Sequence, residues 1–352
     1  MNYHIKPEPE QKRLLLLDQR ALPEREEFYI CRGPEDVVFA IKNMVVRGAP
    51  AIGVTASWGA WLAALRLEQD GLDKSRHWEP LLEEALGHLE EARPTAVNLS
   101  WAVRRMRSVW RARPELNLKQ LVRLWREEAE NIHADDIELN LKMGAYGAAL
   151  LDDGDTVMTH CNAGSLATAG YGTALGVIYA AVEAGKNIKV ISNETRPLLQ
   201  GSRLSAYELH KAGIDVTVAC DNACAVIMAR GRVQKVITGA DRIAANGDTA
   251  NKIGTFGVAL LARNFDIPFY IAAPSSTFDR DCPSGTEIPI EERDPEEVTC
   301  FAGRRTAPEG VKAVNYAFDV TPAELISAIV TEKGLITPPY SANIKKALGW
   351  DN

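Results

Sequence analysis

From Asp155 onward the chain changes rhythm, and that change restricts its fold more than any other feature. Short apolar runs alternate with stretches of helical spacing: Thr156–Thr159, Ile188–Ile191, Val216–Ala219, Val233–Ile237, Phe269–Ala272 and Val314–Phe318. Such alternation predicts a parallel sheet with crossover helices, because neighbouring parallel strands need a long connection to bring the chain back. Polar, reactive residues follow each run: His160-Cys161-Asn162, Ser192-Asn193-Glu194, Cys220-Asp221-Asn222, Thr238-Gly239-Ala240-Asp241, Ala273-Pro274-Ser275 and Asp319. In a parallel sheet these positions share the carboxyl edge, where ligands bind. Some will be helix N-caps, which Asp, Ser and Asn favour in any case.

Upstream the pattern differs. The first 150 or so residues read mostly as helix, with a short hairpin where residues 13–17 and 27–31 alternate around Ala21-Leu22-Pro23. Val37, Val38, Ile41, Met44 and Val45 follow helical spacing, and Pro50 suits the first position of a helix reaching about Leu67. Residues 76–92, 95–112 and 117–150 read as three more helices. The expected architecture is α/β: a mainly helical domain over residues 1–150 and a parallel-sheet domain over 151–352, with no flexible linker between them.

Charge and composition narrow the partners. Forty Lys and Arg stand against 47 Asp and Glu, a net charge of −7 without a basic run, which argues against nucleic acid. Residues 159–182 carry no charge, yet they are rich in Gly, Ala, Thr and Ser and open on His-Cys-Asn. They read as buried protein rather than a membrane span. The start, Met-Asn-Tyr-His-Ile-Lys-Pro, lacks the pattern of a signal peptide, and six scattered cysteines suit a reducing compartment, so a cytoplasmic location is expected. Cys220 and Cys224 are the only close pair, and no further ligands follow at zinc-site spacing.

Three stretches carry candidate chemistry. Cys161, beside His160 where a strand runs into an expected helix N-terminus, has surroundings that favour a thiolate; taken alone, it reads more readily as a small buried strand-end residue. Asp241, after a buried strand and Gly239, suits general acid or base work, or else caps a helix or pairs with Arg242. Arg47-Gly48-Ala49-Pro50 resembles an anion cradle, with the amides of Gly48 and Ala49 ahead of a helix N-terminus and Arg47 adding a two-pronged donor, or else an ordinary tight helix entry with a surface arginine. Lys252 is the candidate for a second cation and Asn251 the candidate for binding a sugar hydroxyl. The rival dinucleotide reading, from Gly170-x-Gly172 and Glu194, is reduced to a runner-up by spacing: Gly170 is about ten residues past the strand and Gly176 comes one residue late. Close helix packing explains those glycines better.

Taken together, Arg47 to Gly53, Thr159 to Gly164, Asn193 to Gly201, and Gly239 to Arg242 through Asn251 to Thr255 make the chain resemble the methylthioribose-1-phosphate isomerase family of methionine salvage. The resemblance runs in order from about residue 12 to Leu348. That family shares its fold with regulatory subunits of the eukaryotic initiation-factor guanine exchange factor. The resemblance implies a helical N-terminal domain, a Rossmann-like C-terminal domain, a homodimer, and aldose–ketose isomerisation of a sugar phosphate without metal or nucleotide cofactor. It implies Cys161 and Asp241 as the catalytic pair. Substrate contacts would fall to Arg47, Gly48, Ala49, Arg93, Gln200, Asn251 and Lys252; Arg93 and Gln200 come from the resemblance alone. Related isomerases acting on 5-deoxyribose 1-phosphate or ribose 1,5-bisphosphate, and a non-catalytic regulatory subunit, are the alternatives. Two departures, Asp221-Asn222-Ala223-Cys224-Ala225 and Asn315-Tyr316-Ala317-Phe318-Asp319, spare the proposed acid and thiol but touch the expected pocket wall.

Overall fold

The computed structural model describes residues 4–74, 77–93 and 97–350. Arg76, Pro94 and Thr95, at the margins of expected helices, lie outside the described residues. The chain divides into two compact units: Met1–Asn140 with Gly164–Gly172, and Leu141–Ala163 with Thr173–Asn352. The first division thus falls within a continuous helix, rather than near residue 150, and a short later passage goes with the first unit.

The first unit holds strands β1 (Ile5–Glu8), β2 (Arg13–Leu17) and β3 (Phe28–Cys31), and helices α1 (Pro34–Lys42), α2 (Ala49–Gln69), α3 (Trp78–Glu90), α4 (Val97–Arg111) and most of α5 (Leu118–Ala148). The hairpin forms with Leu17 opposite Phe28, and β1 adds a third antiparallel strand. Residues 51–65 of α2 are buried on every side, as an all-apolar helix must be. Its small residues let neighbours close in: a Cβ on Gly53 would lie 2.9 Å from the Asn98 carbonyl oxygen. Trp58, Trp61, Trp78, Trp110 and Trp125 belong to this core, and the buried Trp125 indole donates to the Met106 carbonyl at 3.0 Å.

Buried polar groups hold the passage Gly164–Gly172. Gln19 Nε2 donates to the Leu166 carbonyl at 2.8 Å, His4 Nε2 to the Thr168 carbonyl at 2.8 Å, and Ala169 N–H to Asp136 Oδ2 at 2.7 Å. Burial holds the His4 imidazole down to about 4 and pushes the Asp136 carboxyl up to about 7. Between an unfolded value of about 4 and that folded value, the folded chain keeps a proton the unfolded chain has lost, so this group's contribution to stability falls as pH rises. Asp136→Asn keeps an acceptor for Ala169 without the titration. Its Tm relative to wild type should therefore climb from about pH 4 to about pH 7; thermal melts running parallel across that range would reject the assignment.

The second unit continues from the end of α5 through β4 (Thr156–Thr159), α6 (Ala174–Glu183), β5 (Lys189–Asn193), α7 (Ala206–Lys211), β6 (Val216–Ala219), α8 (Cys224–Ala229) and β7 (Lys235–Thr238). Then come β8 (Arg242–Ala244), β9 (Thr249–Lys252), α9 (Thr255–Asn264), β10 (Phe269–Ala272), β11 (Phe278–Asp279), α10 (Glu296–Thr299), β12 (Cys300–Phe301) and β13 (Arg304–Arg305). The chain ends with β14 (Phe318–Thr321), β15 (Ala328–Thr331), β16 (Gly334–Ile336) and α11 (Tyr340–Leu348). Seven strands form one sheet in the order β16-β15-β10-β7-β4-β5-β6, with only β16 antiparallel to its neighbour. Counting the parallel strands along the chain, the order is 3-2-1-4-5-6, that of a doubly wound sheet. Alternate residues of the same strands enter two apolar clusters. Met158, Val236, Phe269 and Ile271 join one; Val157, Ile237, Tyr270 and Ala272 join the other, so both faces of the sheet are covered.

Two expectations need correction. The run Val314–Phe318 is not the sixth parallel strand; that place belongs to β15. Instead β14 pairs antiparallel with β9 in a four-stranded sheet of order β11-β8-β9-β14, so Asp319 lies inside a strand of the smaller sheet. Nor does a helix start after His160-Cys161-Asn162. A 3-10 turn, Ser165–Ala167, intervenes, and α6 begins only at Ala174. Gly172 (φ +92°) presses on the chain so closely that a Cβ would lie 2.4 Å from the Gly164 carbonyl carbon. Gly170 and Gly172 therefore serve this loop, not helix packing.

Candidate active site

Within the second unit, β4 and β7 are neighbours in parallel register, with Val157 opposite Lys235 and Met158 opposite Val236. After β4 the sheet grows toward β5 and β6; after β7 it grows the other way, toward β10 and β15. Such a reversal of strand order between two neighbouring strands is a topological switch point, the place where ligands bind in open α/β sheets. Cys161 follows β4 by two residues and Asp241 follows β7 by three. The two loops meet closely enough that a Cβ on Gly239 would lie 2.9 Å from Ala163 Cβ. Strand order thus brings the sequence-predicted thiol and carboxyl to one edge, on adjacent strands.

Cys161 is 8% exposed and has φ +65°, in the left-handed region that non-glycine residues seldom occupy. Its N–H donates to Thr195 Oγ1 at 2.8 Å, and its carbonyl accepts the Ser205 hydroxyl at 2.7 Å. Thr195 is in turn held by Asp221, whose two carboxylate oxygens accept the N–H groups of Thr195 and Arg196 at 2.7 Å each. A Cβ on Gly201 would fall 1.6 Å from the Asn193 carbonyl oxygen, so only glycine lets this loop close on β5.

The expected source of positive charge at the thiol is not there. Helix α6 starts thirteen positions further on, at Ala174, and the buried His160 imidazole is kept neutral, burial lowering its pKa. Its Nε2 donates to the Ile253 carbonyl at 2.8 Å and its Nδ1 takes a 3.3 Å contact from Asn193 Nδ2. His160 thereby ties the end of β4 to the turn after β9. Gly254 (φ +100°) packs on its ring, where a Cβ would stand 2.9 Å from Cε1.

That tie brings in the remaining candidates of this unit. The half-buried Asp241 donates its N–H to the Ala250 carbonyl at 2.9 Å, which sets it beside Asn251 and Lys252 on β9. Asn251 is buried and donates to Thr255 Oγ1 at 3.0 Å. Lys252 Nζ donates to the Ala317 carbonyl at 2.9 Å and sits 4.4 Å above the Phe318 ring. Gln200 is 5% exposed, and its Oε1 is buried without a hydrogen-bond partner. Gln200 and Lys252 line one small cleft with Pro197, Leu198, Arg293 and Tyr316. Asp319, opposite Asn251 on β14, accepts the Gly254 and Phe256 N–H groups at 2.7 and 3.0 Å; it caps α9, with burial pushing its carboxyl up to about 6.

Arg47, Gly48, Ala49 and Arg93 belong to the first unit. Gly48 has φ +96°, and a Cβ there would stand 2.5 Å from Ala167 Cα, so this approach requires glycine. Ala49 opens α2 with Pro50 in its first turn, the N-terminal geometry expected of an anion cradle. Arg47 is half-buried, its Nε donating to Gln19 Oε1 at 3.2 Å. Arg93 is half-buried just after α3. Thr195, Ser205 and Asp221 form a support to which the sequence reading gives no role: Asp221 is one of the polar residues after a strand, Thr195 lies within a motif of the resemblance, and Ser205 is not singled out. The support's only signal there is hydroxyl and carboxyl groups near strand ends, which suits many caps equally well.

The sequence pattern of the initiation factor 2 subunit family matches residues 45–338. A methylthioribose-1-phosphate isomerase of Nitratidesulfovibrio vulgaris (strain Miyazaki F) is 60% identical over 347 residues, covering 99% of this chain and 98% of that relative. A 5-deoxyribose 1-phosphate isomerase of Clostridium botulinum is 52% identical over 342 residues, 97% of each chain. The crystal structure of 5-methylthioribose 1-phosphate isomerase from Pyrococcus horikoshii aligns with a TM-score of 0.91 at 42% identity, covering 100% of this chain and 97% of that one. The chain belongs to the initiation factor 2 subunit family, with its mixed α/β fold. Within it, the chain is a member of the methylthioribose-1-phosphate isomerases, enzymes that rearrange a sugar phosphate.

Proposed function

We propose that this chain converts 5-methylthioribose 1-phosphate to 5-methylthioribulose 1-phosphate, an aldose–ketose step of methionine salvage. The observation that carries the reading is the placement of Cys161 and Asp241 past adjacent parallel strands at the switch point, in a chain 60% identical to such an isomerase. Phosphate on the anomeric carbon blocks the ring opening that free sugars undergo unaided. Asp241 supplies a proton to the ring oxygen as its bond to C1 breaks. Hydrogen then passes from C2 to C1 while the C2 hydroxyl returns a proton to the Asp241 carboxylate and becomes the carbonyl, so the acid is restored, the product is an isomer and no other reactant is consumed. Cys161 either carries that hydrogen as a proton or, in a direct hydride shift, stabilises the charged open-chain intermediate.

Arg47, Gly48, Ala49, Arg93, Gln200, Asn251 and Lys252 bind the substrate in this reading. The unpartnered Gln200 Oε1 supports it, as a buried acceptor suited to a sugar hydroxyl. A Rossmann-like fold for the C-terminal part of the chain is supported by the 3-2-1-4-5-6 strand order of the large sheet. The family resemblance supports a cytoplasmic homodimer; no described helix is long and apolar enough to cross a membrane. The second reading, 5-deoxyribose 1-phosphate as substrate, draws on the relative at 52% identity, because the same apparatus at C1 would serve both sugars.

Incubating the purified protein with each of these sugar 1-phosphates, and with ribose 1,5-bisphosphate, tests the proposal. The methylthio sugar should give ketose with the highest kcat/KM. Better turnover of the deoxy sugar moves the assignment to it, and ketose from none of the three leaves only the non-catalytic regulatory reading. In the same assay Arg47→Ala should raise KM about tenfold or more with a smaller change in kcat, the cost of one charge-assisted contact to phosphate. An unchanged KM removes Arg47 from the anion cradle.

A further inference from the structure

We propose that Thr195 is a positioning residue for the isomerisation, acting through the backbone of Cys161; the proposal rests on the reading that Cys161 takes part in hydrogen transfer. Two observations converge on it. Cys161 sits at φ +65°, a conformation an L-residue keeps only where its surroundings over-determine it. Thr195, fully buried, also has positive φ, +64°, which is rarer still for a β-branched residue. Neighbouring loops have thus each kept a strained residue, and one hydrogen bond joins the two.

The hydroxyl of Thr195 has no freedom left. It donates to the Asn193 carbonyl at 3.0 Å, so toward Cys161 it acts only as acceptor, meeting the N–H at 2.8 Å. From the other side, Ser205 grips the Cys161 carbonyl at 2.7 Å while accepting from Asn162 Nδ2 at 3.1 Å. Ser205 closes the π-helical turn Gly201–Ser205, a distortion that recurs at functional sites. Both peptide groups flanking the cysteine Cα are therefore fixed by hydroxyls, and the thiol starts from a Cα with little room to drift. Small misplacements of a reacting group cost rate more than they cost binding.

Thr195→Val keeps the shape and deletes the hydroxyl. Its kcat should fall about tenfold or more with KM within about twofold, and Thr195→Ser, which restores the acceptor, should recover most of the loss. A Thr195→Val protein with a lower Tm but unchanged kcat, or a loss that serine does not rescue, overturns the proposal. Should the valine variant fail to fold, Ser205→Ala reads the same clamp from its carbonyl side, and an unchanged kcat there overturns it equally. Cys161→Ala run in parallel separates the two claims. If it is inactive while Thr195→Val is fully active, only positioning is lost; if it is itself active, the underlying reading of Cys161 goes as well.

Discussion

Asp241→Asn will give a folded protein that still takes up the sugar phosphate but turns it over roughly 100- to 10,000-fold more slowly, the range typical of a lost general acid. The amide matches the carboxyl in shape, so what disappears is the proton delivered to the ring oxygen. The bond that sets Asp241 in place, from its N–H to the Ala250 carbonyl, belongs to the backbone and survives the change. KM should accordingly stay within a few-fold of wild type. The nearby Asp319 is a poor substitute, because both of its oxygens already cap α9 through Gly254 and Phe256. Steady-state kinetics with a melting curve decide the matter: turnover near wild type in the folded variant removes Asp241 from the reaction.

Cys161→Ala should cost as much or more, about a thousandfold or greater in kcat. Alanine fits the same backbone, with its N–H still on Thr195 Oγ1 and its carbonyl still on Ser205, so the loop should keep its shape. Only the sulfur is removed. His160 is unable to take over, because its two ring nitrogens are engaged by Ile253 and Asn193 and burial disfavours its protonated form. Cys161→Ser should stay far below wild type too, since a hydroxyl gives up its proton much less readily than a thiol. A Cys161→Ala variant with near-normal turnover would leave the thiol a packing residue.

What the sequence made legible follows its periodicity. Alternating apolar runs marked five of the parallel strands, three of them at the same limits: β4, β6 and β10. The sixth failed for a physical reason. Around Val314 the alternation is inverted: Val314 and Tyr316 are 64% and 50% exposed, whereas Asn315 is buried, satisfied by the Asp294 carbonyl and the Glu297 carboxylate. The passage Gly164–Gly172 misleads in another way. Its small residues have the composition of a packed helix, but Gly172 with positive φ and buried partners on other elements make it an irregular loop.

The site divides along the same line. Cys161 and Asp241 were visible as reactive groups after apolar runs, yet nothing local says that β4 and β7 are neighbours; that is a matter of strand order. Thr195 and Ser205 act through one unusual backbone angle at Cys161, which no residue spacing announces. The expected helix dipole and imidazolium beside the thiol came from reading adjacent residues as adjacent structure. His160 faces Ile253 and Asn193 instead.

The central claim is that Cys161 and Asp241 work on one sugar at this switch point. A crystal structure of the Cys161→Ala protein with 5-methylthioribose 1-phosphate bound tests it most directly. The account predicts C1 and C2 beside residue 161, with the ring oxygen about 3 Å from an Asp241 carboxyl oxygen. A sugar bound with its ring oxygen turned to another acid, or with C1 and C2 remote from residue 161, would contradict it.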